Sequence, residues 1–310
     1  MIINSEQKEK NELASLVILS YNHENYIEET IKGALSQEYS PLEIVVSDDC
    51  STDNTFNIIE SILKDYRGPH IIKINRNETN MGLVPHLNKI LFNFVDGDYI
   101  LLNGGDGVSL SNRTTDVVSL FQKHTQMMGV VLSVTVIDKE SQIIDKPVLI
   151  GEKTYILELK DYLSSHSFSV HESSISFRKK VIDVFGPFVD NCPTEDTTTH
   201  FRCMLLGGII KGSEYGVLYR LHDTNMSRLS NVFKLKTKYI RNQYTTDLNL
   251  AYDRDYIDEK IYKKLKLKIQ YYGVYRLLSE KIYNSKFPIT YFYRGCEKLV
   301  STYYKCLIKL

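Results

Sequence analysis

Leu42-Glu43-Ile44-Val45-Val46-Ser47-Asp48-Asp49-Cys50-Ser51-Thr52-Asp53 is a short apolar run that stops on two carboxylates. A run this short and this apolar suits a strand buried on both faces of a parallel sheet, and the polar cluster behind it marks a turn. Upstream, Leu13-Ala14-Ser15-Leu16-Val17-Ile18-Leu19-Ser20 reads as a strand of the same kind. Between the two, Ile27, Ile31, Ala34 and Leu35 fall at helical spacing, and Pro41 limits that helix. Downstream the unit repeats: a helix over 54–66 with Ile58, Ile59, Ile62 and Leu63 inward, a strand at 71–74, a helix over 83–95 and a strand at 99–102. This alternation predicts an α/β fold with an open, mostly parallel sheet and right-handed crossovers. Ligands of such sheets bind at the carboxyl ends of the strands, so the polar groups just past each strand are the ones to inspect.

Further along, the pattern predicts a helix over 114–124, a strand over 129–137, a hairpin-like stretch to about residue 156, a strand at 173–177, a helix over 197–206 and a strand at 214–221. After residue 230 it changes to helices rich in Lys and Tyr, which places a boundary there: a domain over 1–230 and a helical appendage over 231–310. The net charge of the 310 residues is zero, yet residues 231–310 carry 17 Lys and Arg against 7 Asp and Glu, leaving 21 against 31 before them. A basic, Tyr-rich tail on an acidic body fits peripheral contact with an anionic membrane surface, a homo-oligomer contact, or docking on its own domain. Its stretch from Pro288, with Ile289, Phe292, Leu299, Tyr303 and Leu307 among basic residues, suits an interfacial helix. The acidic body and the lack of a recognisable binding motif speak against nucleic acid. No run of 18 apolar residues is present, and the polar start is unlike a secretory signal, so the expected location is the cytoplasm, at the inner face of the membrane if the tail binds lipid. Five scattered cysteines without CxxC spacing read as reduced and structural.

Three blocks taken together, Val17-Ile18-Leu19-Ser20-Tyr21-Asn22, Ile44-Val45-Val46-Ser47-Asp48-Asp49-Cys50-Ser51-Thr52-Asp53 and Glu195-Asp196, resemble family 2 of the inverting glycosyltransferases, of bacterial type, over roughly residues 13 to 228. The resemblance implies a GT-A fold and transfer of a sugar from a nucleotide-diphospho-sugar, with a UDP-sugar favoured, to a hydroxyl of a saccharide, lipid-linked or protein acceptor. Synthesis of a surface polysaccharide or glycoconjugate is the context it implies.

The resemblance also distributes roles. Ser20, Tyr21 and Asn22 border the nucleotide, and Asp49, with Asp48 as neighbour or alternative, accepts a hydrogen bond from the base; a carboxylate fixed at a strand end reads a ring N–H through a charge-assisted bond. The other reading of this turn is helix capping, a task for Asp53 or Ser51. Asn80 and Gly82 match a block lining the donor site, though an Asn-x-Gly turn is also plain turn chemistry. The metal motif past a later strand is reduced here to Asn103-Gly104-Gly105-Asp106-Gly107. Asp106 alone remains to hold Mn²⁺ or Mg²⁺ with phosphate oxygens and water, while Gly104 and Gly105 let backbone approach the sugar. Asp96-Gly97-Asp98 fits the motif as a string but precedes its strand, which makes it a turn. Asp196 is the expected general base, with Glu195 orienting or touching the acceptor, and the plain alternative is an acidic pair favoured by the helix dipole. In Tyr219-Arg220-Leu221-His222, the resemblance gives His222 to the metal or the pyrophosphate and Arg220 to phosphate. His171 and Glu172 stand where acceptor contacts occur.

Two rivals come from other classes. The depleted metal motif fits a non-catalytic nucleotide-sugar binding protein. A sugar nucleotidyltransferase shares the α/β core but needs a Gly-rich basic loop after strand one, where this chain has Ser20-Tyr21-Asn22-His23-Glu24.

Overall fold

The computed structural model of the chain describes residues 12–144, 153–164, 174–192, 194–223, 225 and 236–284. Strands and helices first alternate: β1 (Ala14–Ser20), α1 (Ile27–Leu35), β2 (Leu42–Asp48), α2 (Thr55–Leu63), β3 (Ile71–Arg76), α3 (Leu83–Asn93) and β4 (Tyr99–Gly104). There follow β5 (Val108–Ser109), α4 (Arg113–Lys123), β6 (Gly129–Ile137), β7 (Tyr155–Leu157), α5 (Leu159–Ser164), β8 (Ser176–Arg178), α6 (Lys180–Phe185), α7 (Glu195–Leu206) and β9 (Ile209–Arg220). Helices α8 (Thr237–Asp253) and α9 (Glu259–Asn284) come last.

These strands form one sheet in the order β3-β2-β1-β4-β8-β6-β9-β5, with β7 also paired to β9. β3, β2, β1 and β4 are parallel, β6 and β9 are parallel, and β8 lies antiparallel between β4 and β6, so β4 and β6 point the same way. The alternation of side chains along a strand explains why the runs are apolar at nearly every position. Leu16 and Ile18 of β1 face a core with α1, α2 and α4, whereas Val17 faces a second core with α3, α6 and α7. Ile44 and Val46 of β2 divide from Val45 in the same way.

That second core also contains Ile240, Tyr244, Leu248 and Ala251 of α8 and Leu265 and Ile269 of α9. The boundary expected near residue 230 falls in 226–235, and the tail segment from Pro288 in 285–310, both outside the described residues. No helix among the described residues is long and apolar enough to cross a membrane.

Two strands differ from expectation. β8 is three residues long and starts at Ser176 rather than 173, while β9 starts at Ile209 rather than 214. The early start of β9 comes from Gly207 and Gly208, which reverse the chain directly after α7; Gly208 has φ of 121°, a conformation that favours glycine. The turn Asp96-Gly97-Asp98 lies at the amino end of β4, far from the strand ends that bind ligand. There Glu43, 1% exposed, accepts bonds from the Asp96 and Gly97 N–H groups and pairs with Lys73 at 2.6 Å.

Candidate functional site

The carboxyl ends of β1, β2 and β4 share one edge of the sheet, and side chains stitch their turns together. Asn22, in a left-handed conformation with φ of 55°, accepts a bond from the Thr52 N–H at 2.9 Å and donates its own N–H to Ser51 Oγ at 2.9 Å. The His23 N–H reaches Thr55 Oγ1 at 2.8 Å, and Asp53 Oδ1 accepts from the Thr55 N–H at 3.0 Å. Asp53 therefore serves the start of α2, as the capping alternative requires. Ser20 is buried, whereas Tyr21 is 41% exposed on the same edge.

The two carboxylates of the turn after β2 are engaged differently. Asp48 is fully buried, accepts from the Ser51 N–H and Oγ, and lies 3.6 Å from Arg76 Nε. Asp49 Oδ1 accepts from Asn77 Nδ2 at 2.8 Å and the Met81 N–H at 2.9 Å, and its Oδ2 from the Gly82 N–H at 2.9 Å. Asn80 Oδ1 accepts from the same Gly82 N–H, so the structure brings Asn80, Gly82 and Asp49 together. A carboxylate offers about four lone-pair positions, and the three bonds to Asp49 leave one on Oδ2.

Past β4, Gly105 crosses the end of β1 so closely that a Cβ on it would stand 2.5 Å from His23 Nδ1 and 2.9 Å from Ser20 Cβ. The next residue, Asp106, meets the end of β9: its Oδ2 lies 2.9 Å from His222 Nε2 and 3.3 Å from Asn225 Nδ2. Asn225 in turn accepts from the His222 N–H and donates to the Arg220 carbonyl. The Tyr26 ring lies against His222, with centroids 5.1 Å apart. Burial pushes the Asp106 carboxyl up, but the His222 bond and the nearby His23 and His222 outweigh it, and Asp106 titrates below its ordinary value. His23 is shifted down by burial against the pull of Asp106, and its Nδ1 is buried with no hydrogen-bond partner among the described residues.

Arg220, placed on a donor phosphate by the sequence reading, turns inward instead. It is 1% exposed and spends its donors on the Asp106 carbonyl, the Asp138 carbonyl, Ser141 Oγ and Glu29. Its observed contacts hold the Asp106 loop.

The chemistry of Asp106 and His222 fits a divalent ion, since a carboxylate on a side chain 24% exposed and an imidazole nitrogen converge with the Asn225 amide beside them. No group of three or more His, Cys, Asp or Glu side chains among the described residues is arranged to hold a metal. Diphosphate oxygens and water can complete the coordination shell of such an ion.

Helix α7 brings the acidic pair to the same edge. It ends at Leu206, turns through Gly207-Gly208 into β9, and runs back antiparallel to that strand, so its amino end lies toward the carboxyl ends of β6 and β9. Asp196 Oδ1 accepts from the Thr197 N–H at 2.6 Å. Burial and then the charge of Asp196 push the Glu195 carboxyl up to about 8. Glu195 therefore holds its proton more tightly than an ordinary glutamate does.

His23, Asn225 and Arg76 were not singled out from the sequence, although His23 sits in the loop after β1 and Asn225 three residues past His222. His171 and Glu172 lie outside the described residues.

Residues 15–185 match the family described as Glycosyl transferase family 2. An uncharacterized glycosyltransferase of Haemophilus influenzae is 30% identical over 230 residues, 71% of this chain and 68% of that protein. The poly(ribitol-phosphate) beta-N-acetylglucosaminyltransferase TarS of Staphylococcus aureus is 29% identical over 112 residues, 36% of this chain and 19% of TarS. A TarS structure in complex with UDP-GlcNAc superposes with a TM-score of 0.56 at 16% identity, over 88% of this chain and 91% of that one. The mannosyltransferase PcManGT from Pyrobaculum calidifontis, in complex with GDP-Man and Mn²⁺, gives 0.54 at 12% identity over 96% and 83%.

Proposed function

The chain belongs to glycosyl transferase family 2, has the GT-A fold and is a glycosyltransferase; we propose that it moves a sugar from a UDP-sugar to an acceptor hydroxyl with inversion, using Asp196 as general base. The observation that carries this reading is the convergence, on one sheet edge, of the Asp49 turn, the Asp106–His222 pair and the amino end of α7.

In this reading Asp49 takes the base N–H at its remaining Oδ2 position, with Tyr21 beside it. The acceptor oxygen attacks the anomeric carbon, the bond to the diphosphate oxygen breaks, and the acceptor proton passes to the Asp196 carboxylate while the nucleoside diphosphate leaves. Glu195 holds an acceptor oxygen. Asp106 and His222 would hold Mn²⁺ or Mg²⁺, which when bound offsets the charge growing on the diphosphate. UDP is favoured because TarS is seen with UDP-GlcNAc, and Mn²⁺ is supported by its presence with PcManGT. The activity of TarS on poly(ribitol-phosphate) supports a place in surface-polymer synthesis.

The test is Asp196→Asn with UDP release and product formation as readouts. Turnover is expected to fall by about 10²–10⁴, the contribution of a positioned general base, with affinity for UDP retained. Undiminished transfer by this variant removes Asp196 from the role.

A further inference from the structure

The Asp49 carboxylate is loaded unevenly. Its Oδ1 takes two donors, Asn77 Nδ2 at 2.8 Å and the Met81 N–H at 2.9 Å, which fill both lone-pair positions of that oxygen. Its Oδ2 takes the Gly82 N–H at 2.9 Å and keeps one position. Asp49 and Asn77 are both buried, and a buried acceptor position calls for a matching donor.

Asn77 is itself fixed. Its Oδ1 accepts from Lys89 Nζ at 2.8 Å and from Asn75 Nδ2 at 3.0 Å, and its backbone N–H reaches the Asp48 carbonyl at 2.9 Å. An ammonium can only donate, so the amide oxygen of Asn77 has to face Lys89 and the amide nitrogen has to face Asp49. Lys89 comes from the middle of α3 and Asn77 directly follows β3. Helix and sheet edge together hold the amide one way round.

The consequence is a count of donors. A carboxylate with both oxygens open pairs with two parallel N–H groups, one on each oxygen. Guanine offers such a pair, its ring N1–H and its exocyclic amine, whereas uracil offers a single ring N–H between two carbonyls. With Oδ1 filled, Asp49 has room for one N–H. A guanine seated on Oδ2 would turn its amine toward the Asn77 and Met81 donors and leave it unmatched.

We propose that Asn77, locked by Lys89, is the specificity-determining residue for the donor base: by closing Asp49 Oδ1 it makes the site read a base with one ring N–H and reject guanine through the guanine amine. The proposal rests on the reading of Asp49 as the acceptor of the base N–H. The choice of nucleotide then lies with a side chain that acts through the carboxylate and has no need to touch the base.

Calorimetric titration of the full chain with four nucleoside diphosphates tests it. The probes are UDP; 3-methyl-UDP, which lacks the ring N–H; GDP; and inosine diphosphate, whose base has the frame of guanine without the exocyclic amine. UDP is expected to bind more tightly than 3-methyl-UDP, and inosine diphosphate more tightly than GDP, each by about tenfold or more, the penalty of one unmatched polar group. Asn77→Ala combined with Lys89→Ala, which keeps the ammonium from taking the vacated place, is expected to close most of the gap between the two purines. Lys89→Met alone, at a half-buried position, is expected to close part of it. GDP bound by the native chain as tightly as inosine diphosphate, binding of neither purine, or a purine gap that both variants leave intact overturns the proposal. 3-Methyl-UDP bound as tightly as UDP removes Asp49 from the base and takes the proposal with it. Rejection of 3-methyl-UDP without a purine gap overturns the role of Asn77 alone, so the two failures are distinguishable.

Discussion

Glu195 and Asp196 are neighbours that hold protons on different terms. Burial and the adjacent charge raise Glu195 from its ordinary 4.5 to about 8. Between those values the folded chain keeps a proton that the unfolded chain has lost, so this residue's contribution favours folding most below about pH 4.5 and declines through the window up to about 8. Thermal midpoints of the native chain and of Glu195→Gln, measured from pH 5 to 8, should differ by a component that falls with rising pH in the native chain and is absent from the variant. At the other end of the site, Asn225 orients the Asp106 carboxylate without needing to touch an ion. Asn225→Ala is expected to weaken Mn²⁺ binding about 10–100-fold, as loss of an outer hydrogen bond does; paramagnetic resonance of free Mn²⁺ reads this without turnover. Asp106 and His222 are legible in the sequence because each ends a recognisable block. Their pairing is not, because it joins positions 116 residues apart, and the Asn225 contact spans 119. The inward turn of Arg220 is hidden for the same reason: its partners Glu29, Asp106 and Asp138 come from three other loops or helices.

Between elements, a buried ion pair joins α7 to α8. Arg202 Nε and Nη2 meet Asp247 at 2.9 and 3.0 Å, Gln243 Nε2 adds a bond at 2.9 Å, and Arg202 also donates to the Gly186 and Pro187 carbonyls. Both side chains of the pair are 1% exposed. Removing one partner leaves a buried charge, so Arg202→Leu is expected to cost about 3–5 kcal/mol in urea unfolding. Replacing Asp247 by Asn in the same chain should recover part of that loss, because the stranded carboxylate disappears. The tie was unreadable beforehand, since an arginine in a helix of mixed composition looks like a solvated face. Apolar periodicity, by contrast, found β1, β2, β4 and β6 almost to the residue. It missed the bounds of β8, whose three residues are too few to show a period, and the start of β9, which is set by two glycines rather than by pattern.

Across the whole molecule, the two helices described after residue 236 carry basic residues, yet their inner faces complete the core. Ile240, Tyr244, Leu248, Leu265 and Ile269 pack in one cluster with Leu87 and Phe201. A chain ended at residue 236 should therefore lose the cooperative thermal transition of the full protein, and circular dichroism during heating checks this. Charge composition located the change of character near residue 230 but could not reveal shared packing, because a net count ignores which side of a helix is apolar. One consequence of the way α7 is mounted reaches beyond stability. Its carboxyl end is clamped by Gly207-Gly208 and β9, and its middle by Arg202, so the bearing of its first turn is fixed by the number of residues in between. A single residue inserted after Thr198 rotates Glu195 and Asp196 by about 100° and shifts them by about 1.5 Å. The helix thus acts as a dial whose setting is counted in residues, and an enzyme with every site residue intact could be silenced by moving it one step.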